Sequence, residues 1–128
     1  MAVPKILVVD DEELLVKSTC IALDLSGYET QGALDAEEGL EKAGTFKPDL
    51  ILLDIMMPGM DGWEMLKKLK EKPSSKSIPV IIFTAKEYSN GKVLARSKGA
   101  VDFVAKPFRL DELDVQIKTC LQNGGPNG

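Results

Sequence analysis

Apolar and polar positions follow two recurring patterns along this chain: short apolar runs and longer stretches with helical spacing. Residues 5–10, 49–54 and 78–84 form apolar runs of strand length. Continuous apolarity over four to six residues is typical of strands buried on both faces of a parallel sheet. Residues 28–33 and 101–105 are more mixed and predict flanking strands. The pattern therefore predicts five strands.

The stretches between these runs place residues three or four positions apart, as a helix does. The first helix ends at Gly27, and its periodic positions are Leu14, Ser18, Ile21, Ala22 and Leu25. Residues 36–43 predict a second, weaker helix. The third opens at Asp61 with Glu64 three residues on, a capping-box spacing. It carries Trp63, Leu66 and Leu69.

A fourth helix is predicted over residues 87–98, and it is the weakest because it contains Gly91, which costs about 1 kcal/mol relative to Ala inside a helix. The fifth helix places Leu110, Leu113, Ile117 and Leu121 on one face. Strands and helices alternating with short loops predict parallel strands joined by right-handed crossovers. We expect a single α/β domain over residues 1–122, with residues 123–128 as a flexible tail or linker stub.

Composition removes several classes of function. The chain has 128 residues, a net charge of −4 and no histidine. It cannot be a histidine phosphodonor or a hydrolase with a Ser/His/Asp triad. Without histidine, and with Cys20 and Cys120 far apart, zinc binding is not expected. The absence of a dense basic cluster argues against direct nucleic-acid binding.

The expected location of the chain is the cytoplasm. No apolar run approaches the length of a membrane span, and the first apolar run stops at Asp10, which does not fit a secretory signal. Cys20 and Cys120 are expected to be free thiols in a reducing compartment.

Polar side chains stand at the ends of four predicted strands. Asp10 and Asp11 follow the first strand, Asp54 the third, Thr84 the fourth and Lys106 the fifth. The carboxyl ends of parallel strands share one edge of the sheet, where open α/β folds bind ligands. Each of these residues alone is better explained as a cap, turn former or solvated charge. Their joint placement predicts a site.

Three converging carboxylates repel each other and favour a hard cation with oxygen ligands. Mg²⁺ takes one or two carboxylates and leaves positions for water and phosphate oxygens. Asp54, expected to be exposed at its strand end, would attack phosphorus and form an acyl phosphate. Lys106 would pair with the incoming charge, and the Thr84 hydroxyl would donate to a phosphoryl oxygen.

Four segments in the same order match a known family. They are residues 6–12, ending in Asp10-Asp11-Glu12; residues 49–62, containing Asp54, Pro58 and Asp61-Gly62; residues 79–85, containing Thr84; and residues 99–108, containing Lys106-Pro107. Over residues 5–121 the chain resembles the receiver domain of bacterial response regulators. The resemblance implies a flavodoxin-like doubly wound five-stranded parallel sheet, strand order 2-1-3-4-5, with five helices.

The resemblance also implies residue roles. Asp54 would be the phosphoacceptor, and Mg²⁺ would be held by Asp11, by Asp10 directly or through water, by Asp54 and by the Met56 backbone carbonyl. Thr84 and Lys106 would hold the phosphoryl oxygens. The Lys106–Pro107 bond would be cis, aiming Lys106 into the site.

The resemblance further implies a switch. Thr84 would move toward the phosphoryl group and Phe103 would turn inward behind it, altering the surface of the fourth helix, fifth strand and fifth helix. Phe103 fits the role of a plain core aromatic nearly as well. The implied partners are a sensor histidine kinase or phosphotransfer protein and a downstream effector, with homodimerisation on phosphorylation by analogy. The domain would be a signalling module and not an enzyme.

Two positions flanking the site vary in the family pattern. Met56 and Lys86 each lie two residues after a site residue, Asp54 and Thr84 respectively. We hypothesise that an apolar and a cationic side chain there set the lifetime of the aspartyl phosphate by controlling access of water.

Three further classes of protein share part of this pattern. A haloacid-dehalogenase-type phosphatase would need an acidic residue at Met56. A flavin or nucleotide module would need a phosphate-cradling loop after the first strand, where this chain is acidic. A receiver-like domain that only docks partners is opposed, though not excluded, by the complete set of site residues. The sequence leaves open whether the chain stands alone or belongs to a longer regulator.

Overall fold

Five strands and five helices alternate along the chain in a computed structural model, which describes residues 3–85 and 91–122, the side chains of residues 85, 91 and 92 aside. The strands are β1 (Lys5–Val9), β2 (Glu29–Ala33), β3 (Leu50–Leu53), β4 (Val80–Ala85) and β5 (Asp102–Lys106). The helices are α1 (Glu13–Leu25), α2 (Ala36–Thr45), α3 (Gly62–Glu71), α4 (Gly91–Ser97) and α5 (Leu110–Gln122).

All four strand pairs are parallel, and the sheet order is β2-β1-β3-β4-β5. The predicted α/β fold and strand order are confirmed. The apolar runs of β1, β3 and β4 are buried because helices cover both faces of the sheet. β2 and β5, whose sequences are mixed, are the two edges.

The core has two layers, one on each face of the sheet. One layer joins alternate strand residues to α2, α3 and α4, through residues such as Met65, Leu66 and Ala95. The other joins the remaining strand residues to α1 and α5, through Leu23 and Ile117. Helices on both faces are what right-handed crossovers between parallel strands produce.

Local signals place most helix ends where the sequence predicts them. The carboxylate of Asp61 accepts a hydrogen bond from the Glu64 backbone N–H at the start of α3, at 2.9 Å. Gly27 ends α1 in the left-handed conformation, with φ of 102°. The last residues of the predicted fourth helix belong to α4, whereas residues 87–90 lie outside the described part of the chain, as do residues 123–128.

The helix α1 presents a different face to the core than its apolar spacing suggests. Its buried residues are Val16, Thr19 and Leu23, whereas Leu14, Ile21 and Leu25 are exposed. Gly32 on β2 explains why α1 buries this face, since a Cβ there would overlap Cγ1 of Val16. The helix therefore sits close to the sheet along the Val16 side.

Candidate functional site

Strand register brings the predicted site residues together at one edge of the sheet. β1 and β3 pair Val9 with Leu53, so Asp10 and Asp54, the next residues, emerge side by side. The Asp54 backbone N–H donates to the Val9 carbonyl at 2.9 Å. β4 and β5 pair Thr84 with Ala105 and residue 85 with Lys106, so these groups reach the same edge.

Asp10, Asp11 and Asp54 form an acidic cluster, each offering one carboxylate oxygen within 4.8 Å of the others. Asp10 is fully buried, and Asp54 is 4% exposed, whereas Asp11 is exposed. The predicted exposure of the Asp54 carboxylate is therefore wrong. The site has a buried floor and an acidic rim at Asp11.

Lys106 supplies the positive charge that balances the two buried carboxylates. Its Nζ donates to Asp10 Oδ2 at 2.5 Å and to Asp54 Oδ2 at 3.2 Å. Burial favours the neutral amine, but the hydrogen bond and charge of Asp10, with those of Asp54, outweigh it and raise the pKa of Lys106 above its ordinary value. Nζ also lies 4.8 Å from the centre of the Phe83 ring. The lysine is thus held charged, inside the site.

Backbone donors orient the other oxygens of the two buried carboxylates. Asp10 Oδ1 accepts from the Glu12 N–H and Asp54 Oδ1 from the Met56 N–H, each at 3.0 Å. Both are short turns in which an aspartate bonds the backbone two residues on. The carboxylates are therefore fixed by the start of their own loops. The side chain of Met56 is 53% exposed beside them.

The Thr84 hydroxyl lies in the site without a protein partner in the described residues. The side chain is fully buried and its Oγ1 has no hydrogen bond there. A buried hydroxyl left unpaired costs about 1–3 kcal/mol. Such a group at a strand end beside an acidic cluster is suited to donate to an oxygen of an incoming ligand.

The loop after β3 approaches the start of α3 closely at Gly62. The Gly62 N–H donates to the Ile55 carbonyl at 3.2 Å, and a Cβ on this residue would meet the Asp54 carbonyl oxygen and the Ile55 Cα. Only glycine fits at this point without displacing the Asp54 backbone. Asp61 and Gly62 therefore place the start of α3 close to the backbone of Asp54 and Ile55.

The remaining predicted positions are placed as follows. The Lys106–Pro107 peptide bond is cis, as the resemblance implied. Phe103 is half-buried and packs against the core layer of α2, α3 and α4. Trp63 is half-buried, with Lys98 Nζ 5.7 Å from its ring. Lys86 lies outside the described residues.

Two contacts of Lys106 were not predicted from the sequence. Glu12 Oε1 lies 3.6 Å from Nζ at the rim, and Phe83 lies beneath it. The run of acidic residues after β1 could have indicated Glu12. Nothing in the sequence marks Phe83, which looks like an ordinary strand residue.

The donor set fits a hard divalent cation. Three carboxylates at one edge, one of them exposed, are oxygen ligands of the kind that Mg²⁺ binds, and its remaining positions would stay open to water or phosphate. The charge of Lys106 alone does not neutralise three carboxylates. Asp10, Asp11 and Asp54 are therefore the residues that would hold the ion.

Comparison with known proteins agrees with this geometry. Residues 6–118 match the family model of the response regulator receiver domain. The alkaline phosphatase synthesis transcriptional regulatory protein PhoP of Bacillus subtilis is 44% identical over 118 residues, 92% of this chain and 48% of that protein. The phosphate regulon protein PhoB of Pseudomonas aeruginosa is 38% identical over 121 residues, 94% of this chain and 53% of that protein.

Solved structures give the same result. A CheY-like response regulator receiver domain protein from Methanospirillum hungatei superposes with a TM-score of 0.88 at 31% identity, over 99% of this chain and all of the other. This chain belongs to the response regulator receiver domain family of two-component systems. It spans about half the length of PhoP and PhoB. No helix in the described ranges is long and apolar enough to cross a bilayer.

Proposed function

We propose that this chain is a phosphorylation-dependent switch in which Asp54 accepts a phosphoryl group in the presence of Mg²⁺. One observation carries the proposal: at one sheet edge a buried carboxylate meets two further carboxylates and a charged lysine, together with a buried hydroxyl that has no partner in the described part of the chain. A purely structural role would explain an aspartate or a lysine separately. It would not explain a buried hydroxyl at the same sheet edge that lacks a partner among the described residues.

The transfer is a displacement at phosphorus. An Asp54 carboxylate oxygen forms the new P–O bond, and the bond from phosphorus to the donor breaks, its electron pair leaving with the donor. Bound Mg²⁺ would supply positive charge to the phosphoryl oxygens. The Met56 N–H holds Oδ1 of Asp54, which fixes the orientation of the carboxylate.

Lys106 and Thr84 then acquire a new partner. The ammonium group, shared between Asp10 and Asp54 in this structure, would turn to a phosphoryl oxygen, forming a charge-assisted hydrogen bond. The Thr84 hydroxyl would donate to a second phosphoryl oxygen. The gain of a partner by a buried hydroxyl couples phosphorylation to the position of β4.

Membership of the receiver domain family supports the following partners. The phosphodonor would be a sensor histidine kinase or a phosphotransfer protein in the cytoplasm, and the output would reach an effector protein or domain through α4, β5 and α5. The domain itself would bind no nucleic acid and turn over no substrate. Phe103 would turn inward when Thr84 moves and so alter that surface. Phosphorylation would favour homodimerisation through the same surface.

The test is incubation with acetyl phosphate and Mg²⁺ followed by intact mass measurement. We expect the mass to increase by one phosphoryl group. This increase should be absent without Mg²⁺ and absent in Asp54→Asn. Asp49→Asn is the matched control, since Asp49 lies at the other end of β3 and accepts only from the Lys5 backbone N–H in the described contacts. No gain under any condition, including with a phosphorylated histidine donor, would overturn the proposal and favour a docking-only domain.

Met56 is proposed to limit access of water to the phosphoryl group. Its half-exposed side chain stands beside Asp54, where an amide could instead orient a water molecule. Met56→Asn is expected to shorten the half-life of the aspartyl phosphate several-fold, measured as phosphate loss after removal of acetyl phosphate. An unchanged half-life would mean that Met56 does not control the lifetime of the aspartyl phosphate.

A further inference from the structure

An apolar stripe runs along the solvent-facing side of α1. Leu14, Ile21 and Leu25 are 82%, 61% and 85% exposed, and with Ser18 they recur at spacings of four, three and four. Val16 and Leu23, which face the sheet, lie on the opposite side of the helix. The helix therefore has two apolar faces, and within the described part of the chain only the face of Val16 and Leu23 is buried.

The spacing of this stripe is that of one helix in a two-helix coiled coil. Apolar residues that alternate at intervals of four and three form the a and d positions of a heptad pattern, which pack against the same positions of a second helix. Ser18 is the single polar member. A helix is thus the element that the exposed face of α1 fits.

Charges beside the stripe select the partner and its direction. Lys17 and Asp24 lie seven residues apart, on the same flank of the stripe, and carry opposite charges. If a second copy of α1 packs antiparallel, with Leu14 against Leu25 and Ser18 against Ile21, Lys17 of each copy meets Asp24 of the other. A parallel pair would place no opposite charges across this seam.

We infer that two copies of this chain associate through antiparallel α1 helices. The two-fold axis would cross the seam between Ser18 and Ile21, which closes the interface after two copies. Beside the seam, Leu34 and Cys20 line a shallow groove between α1 and β2, which adds apolar surface on the Lys17 flank. The interface involves α1 and is separate from the surface formed by α4, β5 and α5.

Both charged residues already have contacts within the chain, which the pairing can retain. Lys17 Nζ lies 3.6 Å from Glu13 Oε2 in an exposed pair. Asp24 Oδ1 accepts from the Thr30 hydroxyl at 2.7 Å, which leaves Oδ2 for a second donor. Because one helix pair buries less than the ~1,200 Å² of stable interfaces, the dimer is expected to be weak, with half-association at roughly 0.1–1 mM.

The first experiment measures association of the full chain by sedimentation, from about 20 μM to about 1 mM, without phosphodonor or Mg²⁺. The native chain should associate with rising concentration. Ile21→Glu should remain monomeric. Val115→Glu is the matched control, because Val115 on α5 is 63% exposed, almost the same as Ile21, and it should associate like the native chain.

A charge exchange tests the antiparallel direction. Lys17→Glu or Asp24→Lys alone places like charges opposite each other and should weaken association about tenfold. The double variant Lys17→Glu/Asp24→Lys reverses both charges and should restore it. Thermal unfolding of each variant shows that the exposed substitutions leave the fold intact.

Three outcomes would overturn the inference: a native chain that stays monomeric to the highest concentration, equal loss in Ile21→Glu and Val115→Glu, or a double variant that is not restored. The first would assign the stripe to a helix of a different protein. None of these results bears on phosphorylation of Asp54, which the mass measurement tests separately.

Discussion

Lys106 is the counterion of two buried carboxylates. Removing its charge should therefore lower the free energy of unfolding. Asp10 and the side chain of Asp54 are 0% and 5% exposed, and Lys106 contacts both. Removing one partner of a buried ion pair leaves an uncompensated charge, typically at a cost of about 3–5 kcal/mol. We expect Lys106→Met to lower the free energy of unfolding by about 3 kcal/mol in the absence of Mg²⁺.

Added Mg²⁺ should recover part of this loss, because a bound cation supplies the missing positive charge and stabilises only the folded state. Urea unfolding with and without Mg²⁺ measures the effect. Lys118→Met is the control, since Lys118 is 58% exposed and its partner Asp114, 22% exposed, keeps a hydrogen bond from the Tyr28 hydroxyl. Pairs made by an exposed lysine contribute about 0–1 kcal/mol. Equal losses for the two variants would contradict the assigned role of Lys106.

The raised pKa of Lys106 sets the pH range of this contribution. A group whose pKa is higher in the folded state stabilises the fold fully below its unfolded pKa, about 10.4, and loses that effect as the pH rises through the folded pKa. The difference between the native chain and Lys106→Met should therefore persist through neutral pH and shrink only in strong alkali.

At the residue scale, the sequence could predict which side chains meet and could not predict how they are buried. Asp10, Asp54, Thr84 and Lys106 converge because they end parallel strands, a consequence of topology alone. The burial of Asp54 depends on the loop after β3, whose Met56 N–H binds its carboxylate, and on Lys106 reaching across from β5. Those are tertiary contacts, which strand patterns do not encode.

At the scale of single elements, the seating of α3 depends on the absence of a side chain at Gly62. A Cβ there would lie 2.5 Å from the Ile55 Cα, and backbone cannot move aside as a flexible side chain can. We expect Gly62→Ala to lower the free energy of unfolding by about 1–3 kcal/mol, as overpacking does, and to slow phosphorylation by shifting the Asp54 backbone.

Gly44 in α2 is the matched control for this substitution. Nothing lies within 4 Å of a Cβ added there, and Ala is favoured over Gly inside helices. Gly44→Ala should therefore raise the free energy of unfolding by up to about 1 kcal/mol, measured in the same urea titrations. If both variants were destabilised alike, steric contact at Gly62 would not be the cause.

Periodicity predicted the helix α1 correctly but could not select its buried face. Leu14, Ile21 and Leu25 form one apolar stripe, and Val16, Thr19 and Leu23 form a less regular one. The helix packs on the second because Gly32 on the neighbouring strand admits Val16 closely. That choice depends on a residue in another element, so no pattern within the helix reveals it.

At the scale of the whole molecule, the proposed switch requires that a change at Asp54 reach β5 through Thr84. The buried Thr84 hydroxyl has no partner among the described residues, which costs free energy, and its replacement by an apolar group of similar shape removes that cost. Thr84→Val should therefore raise the free energy of unfolding of the unphosphorylated chain by about 1 kcal/mol. Asp54 should still accept a phosphoryl group, because its carboxylate and the rest of the acidic cluster are unchanged.

Hydrogen exchange at the two edges of the sheet distinguishes a local response to phosphorylation from a change in the stability of the whole domain. Hydrogen exchange compares β5, which pairs with β4, and α4, which packs on β5, with β2 at the far edge of the sheet. In the native chain, acetyl phosphate with Mg²⁺ should change exchange in β5 and α4 and leave β2 as it was. In Thr84→Val, intact mass should show phosphorylation while β5 no longer responds, since no hydroxyl is drawn toward the phosphoryl group. A β5 response of native size in that variant would mean that the signal reaches the surface by another route, and Phe103 would then be a core aromatic whose position is independent of Thr84.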